Sequence, residues 1–496
     1  MINKRFLWLC SLLGVVIFSF YIVITAGVSQ PTGPDIIFVR IPAAAKPSAP
    51  SRKNQLTRDR YVDGCQIVRF SLFGCREKVV HLTAEFQSAC DPAVSFDGKK
   101  ILFAGKQKKG QPWQIWQMDG KGGKKNQITH GNTDSVSPLY VGSLFHLDDK
   151  APTRKILYQG GNHLYTCDLD GKNPRRITYN LYPEFAPDVL PNGRIVFSSL
   201  KNNGSETGSG KTLDLLAVNI DGTDLMGYLT SQDVPGDKEM VRITQDGRVY
   251  FIHSDLGQWL GGGALASVSS RRPAHSYNSL APDNKGFFHS PCPLPDGSLI
   301  VSFRGKGNGT LFGLFAREPG KNKKNRPLYL SRDYHCVDAQ VLEPHPVVKG
   351  RSSFEDFNRD TGTFYCISAY ISDRPELKQL AHGLIKHVRV LEGISNDRKA
   401  VETHRILGTA PVETDGSFHI RVPAETPLAF QLLDKKGKVI ISQHSWTWVM
   451  PRESRGCVGC HEDRELAPPN QLPQAIIKPA VQLTRKPEKR QKKGNQ

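Results

Sequence analysis

Aromatic and other hydrophobic residues are scarce in this 496-residue chain. Aromatics make up 9% of it and hydrophobic residues 38%, against roughly 45–50% in globular proteins by a count that includes glycine. Adding the 45 glycines brings the share to about 47%, so a buried core can form and wholesale disorder is excluded. The 45 glycines and 33 prolines also exclude a helical bundle and favour short strands joined by tight turns.

The basic residues lack the interleaved aromatics of a nucleic-acid surface. Lys and Arg outnumber Asp and Glu by 66 to 47, for a net charge of +19. The excess lies in short runs such as Lys106–Lys109, Lys321–Arg326 and residues 485–493. We therefore expect no nucleic acid, and an acidic protein partner or an anionic lipid surface instead.

A single long hydrophobic run is present, at residues 6–27, and it follows Lys4 and Arg5. Its 22 residues suffice for a helix across the roughly 30 Å of a bilayer core, and no clean small-x-small cleavage site follows. This favours an uncleaved signal-anchor at residues 1–27, with a cleaved signal peptide as the alternative. The positive flank predicts a single-pass inner-membrane protein with a cytoplasmic N-terminus and its bulk in the periplasm.

A loose internal repeat fills residues 61–345, behind a linker at 28–60 that contains one strand. Four repeat units end in Leu82-Thr83, Ile128-Thr129, Ile177-Thr178 and Leu229-Thr230, spaced by 46, 49 and 52 residues. Asp-Gly or Asn-Gly turns separate the alternating runs within the units. This order predicts an all-β fold that begins with a propeller of about six blades, with a β-sandwich as the alternative. The expected blades are roughly 61–83 (closed by 35–40), 89–130, 133–179, 183–230, 236–275 and 289–343.

Strand-like runs after residue 345 predict a second, smaller β-rich domain at 346–470, similar to a sandwich or a barrel. The final stretch, 471–496, is rich in proline and basic residues, and we expect it to be a tail outside the domain.

The strongest chemical motif is Cys457-Val458-Gly459-Cys460-His461, a C-x-x-C-H. Two thiols at this spacing add to the two vinyl groups of a haem, and the adjacent histidine ligates its iron. The motif predicts one covalent haem c on Cys457 and Cys460, with His461 as axial ligand. A disulfide or half of a zinc site is the alternative, although adjacent Cys460 and His461 suit one tetrahedral ion poorly.

A second iron ligand would have to come from upstream, because the 35 residues after His461 contain neither Met nor His. The alternative is a five-coordinate iron open to a small ligand. Trp446 and Trp448 either flank the porphyrin or fill the core. The candidate second ligands, nearest first, are Met450, His444, His404 and His419.

Seven further cysteines lie outside the hydrophobic run and the motif. In an oxidising compartment we expect some to pair, and Cys65 and Cys75 are close enough in sequence to bridge a hairpin. Cys292 and Cys336 each have a histidine nearby, which makes them candidate zinc ligands, with buried or disulfide-bonded cysteine as the alternative.

The repeat core Ser95-Phe96-Asp97-Gly98-Lys99-Lys100-Ile101-Leu102-Phe103 resembles TolB-type propeller repeats. Residues 405–418, 422–428, 445–453 and 455–462 together resemble the hydrazine synthase alpha subunit family. The resemblance implies a propeller docked on a haem-bearing β domain. In that family's enzyme the motif continues to C-x-x-C-H-x-x-x-Y, the Tyr ligates iron and the motif His contributes to a zinc site. Here Glu465 replaces that Tyr, so we assign His461 to iron and retain zinc as the alternative.

Two functions follow from these features. The first is a membrane-anchored, extracytoplasmic c-type haem protein that passes electrons to a redox partner protein, or acts on a small molecule as a haem-dependent oxidoreductase. The second is a non-catalytic propeller scaffold that binds other proteins and carries a structural or sensory haem.

Overall fold

The structure, a computed structural model, describes residues 34–45, 61–71, 79–147, 149–202, 211–254, 262–280, 285–307, 309–318, 320, 324–373, 378–394, 403–443, 445–460, 465 and 467–483. The described part consists mainly of β-strands, which we number β1 to β33 along the chain, with a short 3₁₀ helix at Pro273–His275. Within these residues, no helix is long and apolar enough to cross a membrane. The anchor predicted at residues 1–27 lies outside them.

Tight turns at the predicted Asp-Gly and Asn-Gly pairs connect many of the strands. At Asp97-Gly98, the amide of Ser95 bonds the carbonyl of Lys100 at 2.9 Å, and Gly98 has a φ of +69°. Such a left-handed conformation costs glycine little because it has no Cβ. The sequence-based turn prediction is confirmed here.

Four sheets in the first part of the structure are antiparallel, with their strands in chain order. We number them sheets 2, 4, 5 and 6. The strands of sheets 2 and 4 are β4 (Ser88–Val94), β5 (Lys100–Lys106), β6 (Gln114–Asp119), β7 (Asn126–Gln127), β12 (Glu184–Val189), β13 (Ile195–Asn202), β14 (Lys211–Val218) and β15 (Met226–Leu229). Those of sheets 5 and 6 are β16 (Asp237–Ile243), β17 (Arg248–Ser254), β18 (Ala264–Ser269), β19 (Asn278–Ser279), β20 (Gly286–Pro293), β21 (Leu299–Gly305), β22 (Gly313–Arg317) and β23 (Asn325–Tyr329).

Sheet 3 has a fifth strand that comes from the beginning of the second domain. β25 pairs in parallel with β8, through the partners Arg351 and Leu144. The strands of sheet 3 are β8 (Ser135–His146), β9 (Thr153–Gly160), β10 (His163–Asp168), β11 (Arg175–Arg176) and β25 (Arg351–Ser353).

Sheet 1 joins the two ends of the repeat region. Its order is β24-β1-β2-β3, with Phe38 opposite Val68 and Val39 opposite Val337. β1 is hydrogen-bonded on both edges, so the strand predicted within the linker at 28–60 joins the first blade, as the expected closure by 35–40 implied. β24 belongs to sheet 1, whereas the sequence analysis placed it in the last blade. The strands are β1 (Asp35–Pro42), β2 (Gln66–Ser71), β3 (Val80–His81) and β24 (Tyr334–Val341).

One strand from each of these six sheets, which we call its inner strand, belongs to a closed series of contacts. The series runs β24, β4, β8, β12, β16 and β20, each strand contacts the next, and β20 contacts β24. Each strand carries a register shift, and within that shift one non-glycine residue has a φ between 42° and 55°. These bulges bend the inner strand of every sheet at an equivalent place. The residues are Asp91, Ser137, Ala186, Met240, Ser290 and Asp338.

The second domain consists of two four-stranded sheets, numbered 7 and 8, that share one apolar core. Phe364, Val388, Ile420 and Leu432 lie in this core and are at most 2% exposed. Sheet 7 has the order β32-β26-β29-β33 and sheet 8 the order β28-β27-β30-β31. The strands are β26 (Thr361–Cys366), β27 (His387–Ile394), β28 (Thr403–Pro411), β29 (Phe418–Pro423), β30 (Leu428–Leu433), β31 (Val439–Ser442), β32 (Ser454–Cys457) and β33 (Val481–Gln482).

The predicted tail at 471–496 is wrong for its described part, which ends at Leu483. Val481 pairs in parallel with Ile420, and the Leu483 amide bonds the Arg421 carbonyl at 2.8 Å. The Leu483 side chain is buried against Gly408, whose missing Cβ would lie 2.8 Å from Cδ2 of that leucine. An apolar side chain near the end of a charged, proline-rich stretch therefore completes the core. Residues 484–496 lie outside the described part.

Candidate functional site

The two motif cysteines lie on a loop that backbone hydrogen bonds hold against the second domain. Strand β32 ends at Cys457, whose carbonyl accepts a bond from the Ile367 amide at 2.9 Å. Three residues later, the Cys460 amide donates to the Ile371 carbonyl, also at 2.9 Å. Between them, a Cβ on Gly459 would lie 2.1 Å from the same Ile371 oxygen, so a larger residue would displace the loop.

The two motif cysteines are more exposed to solvent than the other described cysteines. Cys457 and Cys460 are half-buried and pack against the edge of the second-domain core. The six other described cysteines are buried, at 5% exposure or less. Burial raises the pKa of Cys65 and of Cys167 to about 12, which opposes the reactive thiolate form. The accessible thiols of the described chain are therefore those of the C-x-x-C-H motif.

His461 lies outside the described residues, but the chain is described again at Glu465. The Glu465 carboxylate is 9% exposed and accepts a hydrogen bond from the Ala274 amide at 2.8 Å. It also pairs with the Arg272 guanidinium at 3.2 Å. Arg272 and Ala274 lie in the segment with the 3₁₀ helix that connects β18 and β19 of sheet 5. Glu465 therefore contacts the first domain.

Met450, the nearest candidate for a second iron ligand, packs in a different cluster from the motif cysteines. It is fully buried in a cluster formed mainly by sheets 3 and 4, whereas Cys457 and Cys460 pack against the core of sheets 7 and 8. Its sulfur would be 3.0 Å from a Cβ on Gly222, the glycine of the Asp221-Gly222 turn. Met450 is therefore a packing residue at the junction of the two domains.

Trp448 and Trp446 also pack at this junction, and neither lies in the core beside the motif. Trp448 is 0% exposed, and its indole N–H donates to the Gly222 carbonyl at 3.1 Å. Trp446 packs with Leu391 and Ala429 of sheet 8. Both indoles fill apolar cores, which was the alternative to a porphyrin contact.

The candidate histidines have different positions. His444 lies outside the described residues, and His404 is exposed on β28. His419 is half-buried on β29, which pairs with β26. Its ring centroid is 6.5 Å from that of Tyr365 on β26. Tyr365 is in turn the register partner of Gly456 on β32. His419 is thus one strand further from the motif loop than Tyr365.

Cys292 and Cys336 do not lie in a set of metal ligands. Both are buried in one apolar cluster, and burial raises the pKa of Cys292 to about 11 and that of Cys336 to about 12. The Nδ1 atom of nearby His335 accepts a hydrogen bond from the Phe312 amide at 3.2 Å. In the described chain, no group of three or more His, Cys, Asp or Glu residues is arranged to hold a metal ion. Among the residues that the structure describes, these cysteines have no further ligands for the predicted zinc, and the alternative of buried cysteine fits them.

The sequence analysis missed a set of charged residues that joins the two domains. The Arg351 guanidinium bonds the buried Asp221 carboxylate at 2.9 Å. The Glu453 carboxylate accepts hydrogen bonds from the amides of Asp224 and Met450, each at 2.7 Å. Burial, reinforced by the Asp221 carboxylate, raises the pKa of Glu355 to about 9. The proximity of these residues depends on contacts between distant segments, so no local motif marks them.

A cleft of about 890 Å³ opens at the same junction, and the sequence analysis did not predict it either. Its walls come from sheets 2 and 3 and from the second domain. On the sheet 3 side, His163 lies 3.4 Å from the fully buried Glu184 carboxylate. Polar lining residues include His130, Asn162, His163, Arg176, Asn180 and Glu425.

The fold and the loop define a class of protein: an all-β chain whose repeat domain is docked on a two-sheet domain that carries the two cysteines of a C-x-x-C-H motif on a loop. Residues 376–462 match the family model described as the hydrazine synthase alpha subunit middle domain. Through this segment the chain is similar to the hydrazine synthase alpha subunit family, and the closed series of sheets in its first domain is that of a β-propeller.

Two relatives give the extent of the likeness. The curated hydrazine synthase subunit alpha of Kuenenia stuttgartiensis is 27% identical over 513 residues, covering 80% of this chain. The chain spans 62% of that relative's length. A solved structure of Kuenenia stuttgartiensis hydrazine synthase superposes with a TM-score of 0.76 at 23% identity, over 90% of this chain and 72% of the other. A TolB structure from Acinetobacter baumannii aligns at a TM-score of 0.41 and 16% identity, over 62% of this chain and 66% of the other.

Proposed function

We propose that this protein is an extracytoplasmic c-type haem protein, with one haem bound through thioether bonds to Cys457 and Cys460. The observation that carries the proposal is the exposure of these two thiols, in a described chain whose other cysteines are buried. Thioether formation requires both thiols to reach the vinyl groups of the same porphyrin. A loop fixed by backbone bonds at Cys457 and Cys460, beside an apolar core, fits that requirement.

The chain's own residues would orient the group and shield it. The bonds to Ile367 and Ile371 fix the two attachment points relative to sheet 7, and the core around Phe364 provides an apolar surface beside them. The ion pair with Arg272 holds Glu465, four residues after His461 in the sequence, against the propeller. His461 would be the axial ligand, and bound haem would supply one-electron redox chemistry at iron.

On this basis we infer a role in electron transfer to a redox partner protein or in redox chemistry on a small molecule. The junction cleft, with its histidine and arginine lining, is large enough for a small polar molecule.

The second candidate is a propeller scaffold with a structural or sensory haem. It is favoured by the junction itself, where Trp448, Met450 and Asp221 are buried between the two domains. Reduction potential and ligand binding separate the candidates. A structural haem would keep its spectrum when candidate partners or small molecules are added, and a sensory haem would change its spectrum only by binding a small ligand. An electron carrier would be oxidised or reduced by its partner.

We further propose a six-bladed ring, closed by β24, and attachment to the inner membrane by the hydrophobic run at residues 6–27. The closed contact series of the inner strands supports the ring. The length of the run and its flanking Lys4 and Arg5 support the anchor, with the rest of the chain in the periplasm. A reporter fused after residue 50 should then be active only outside the cytoplasm. Activity of a cytoplasm-only reporter there would contradict the proposed topology.

The haem proposal is tested on full-length protein produced together with a haem-attachment system. Haem should remain on the denatured polypeptide through acid-acetone extraction, and a reduced-minus-oxidised spectrum should show c-type bands. Cys457→Ala with Cys460→Ala should abolish covalent haem. Cys167→Ala, which alters a buried propeller cysteine, should retain it. Complete extraction of haem from the unaltered protein would refute the proposal.

A further inference from the structure

A third cysteine lies directly beside the motif. In the parallel pairing of β26 with β32, the register partner of Cys457 is Cys366. Paired residues project to the same face of a sheet, and both cysteines contribute to the second-domain core. Cys366 is 1% exposed, while Cys457 is half-buried at the edge of that core. Cys366 is therefore an inner thiol next to the outer thiol of the motif.

The pairing places the two residues within the range of a disulfide bond. Neighbouring strands are about 4.7–4.9 Å apart, and the Cα atoms of bonded cysteines lie about 4.4–6.8 Å apart. Cys460, in contrast, lies beyond the end of β32, where its amide is bonded to Ile371. The strand pairing thus gives Cys457 a neighbouring thiol in addition to the one in its own motif.

We propose that Cys366 and Cys457 form a reversible disulfide before haem is attached, and that this bond controls attachment. The oxidant is a dithiol oxidoreductase in its disulfide form. A sulfur–sulfur bond forms between Cys366 and Cys457, the oxidant's disulfide breaks, and the two protons and two electrons leave on its two thiols. A reduced dithiol protein reverses the exchange. The disulfide stands independently of haem, whereas its control of attachment rests on the proposed function.

The control follows from the chemistry of the thioether bond. A sulfur in a disulfide cannot add to a vinyl group, so Cys457 accepts haem only after the bond to Cys366 is reduced. Because Cys366 is buried, its thiol does not compete for the porphyrin once reduction has occurred.

The first experiment maps the bond. Full-length protein is exported in a host without a haem-attachment system, denatured with N-ethylmaleimide, digested without reductant and analysed by mass spectrometry. We expect the Cys366 peptide linked to the Cys457 peptide. The link should persist in Cys460→Ala and disappear in Cys366→Ala. A Cys457–Cys460 bond, or alkylation of all three residues, would overturn the proposal.

The second experiment measures control of haem attachment in a host that has the attachment system. Cys366→Ala should carry covalent haem in a larger fraction of molecules than the unaltered protein, and that fraction should no longer rise with added thiol reductant. Cys336→Ala, which removes an equally buried cysteine from β24, should behave like the unaltered protein. An unchanged reductant dependence in Cys366→Ala would overturn control of attachment. Absence of haem from every variant, with the mapped disulfide present, would count against the haem proposal alone.

Discussion

Replacing Trp448 by alanine should destabilise the protein more than most single substitutions, because this side chain fills the junction of the two domains. Trp448 is 0% exposed and packs with Ile177, Ile195 and Val218. Truncating a buried Trp to Ala costs about 3–5 kcal/mol through lost transfer free energy and the cavity left behind. The Gly222 carbonyl, 3.1 Å from the indole nitrogen, would also lose its donor.

Trp448→Phe separates packing from the hydrogen bond. It retains most of the ring volume but leaves the Gly222 carbonyl without its indole donor, which should lower the free energy of unfolding by about 1–3 kcal/mol. Leu472 is 73% exposed and supplies the matched control. Leu472→Ala should change the free energy of unfolding by less than about 0.5 kcal/mol.

The assay is urea denaturation of full-length protein, followed by far-ultraviolet circular dichroism, together with limited proteolysis of the folded state. Trp448→Ala should shift the midpoint most, followed by Trp448→Phe, with Leu472→Ala unchanged. Trp448→Ala should also increase proteolytic cleavage near residues 445–455, where the second domain meets the propeller. A loss below about 1 kcal/mol for Trp448→Ala would refute the inference that this indole joins the domains.

Two further predictions test the junction and the end of the second domain. Because burial raises the pKa of Glu355 to about 9, above its ordinary 4.5, the folded protein retains a proton that the unfolded chain releases. Melting temperature should therefore fall as pH rises from about 5 to 9, and Glu355→Gln should reduce that fall; an identical pH profile in the variant would contradict the assignment. Leu483→Ala should lower the free energy of unfolding by about 2–5 kcal/mol because Leu483 is buried in the second-domain core. A stop codon after Leu483 should not lower it. Equal effects of the two changes in urea denaturation would contradict the role of Leu483 in the core.

The sequence alone determined the features that short segments encode. The Asp-Gly and Asn-Gly pairs mark turns because glycine adopts a positive φ at low cost, and alternating runs between them indicate strands. Their recurrence with a terminal Thr pointed to propeller repeats. The C-x-x-C-H motif identified the two cysteines that are half-buried in a described chain whose other cysteines are buried.

Only the tertiary structure decided how distant segments meet. β24 pairs with β1 across about 300 residues of sequence, and neither strand carries a local sign of that partner. Met450 looked like a candidate ligand because it is close to the motif in sequence, but the chain turns its side chain into the propeller core beside Gly222. Leu483 looked like part of a polar tail, yet it occupies the space that Gly408 leaves open. Local patterns encode turns and strands because those depend on neighbouring residues, whereas burial and strand pairing depend on the whole chain's packing.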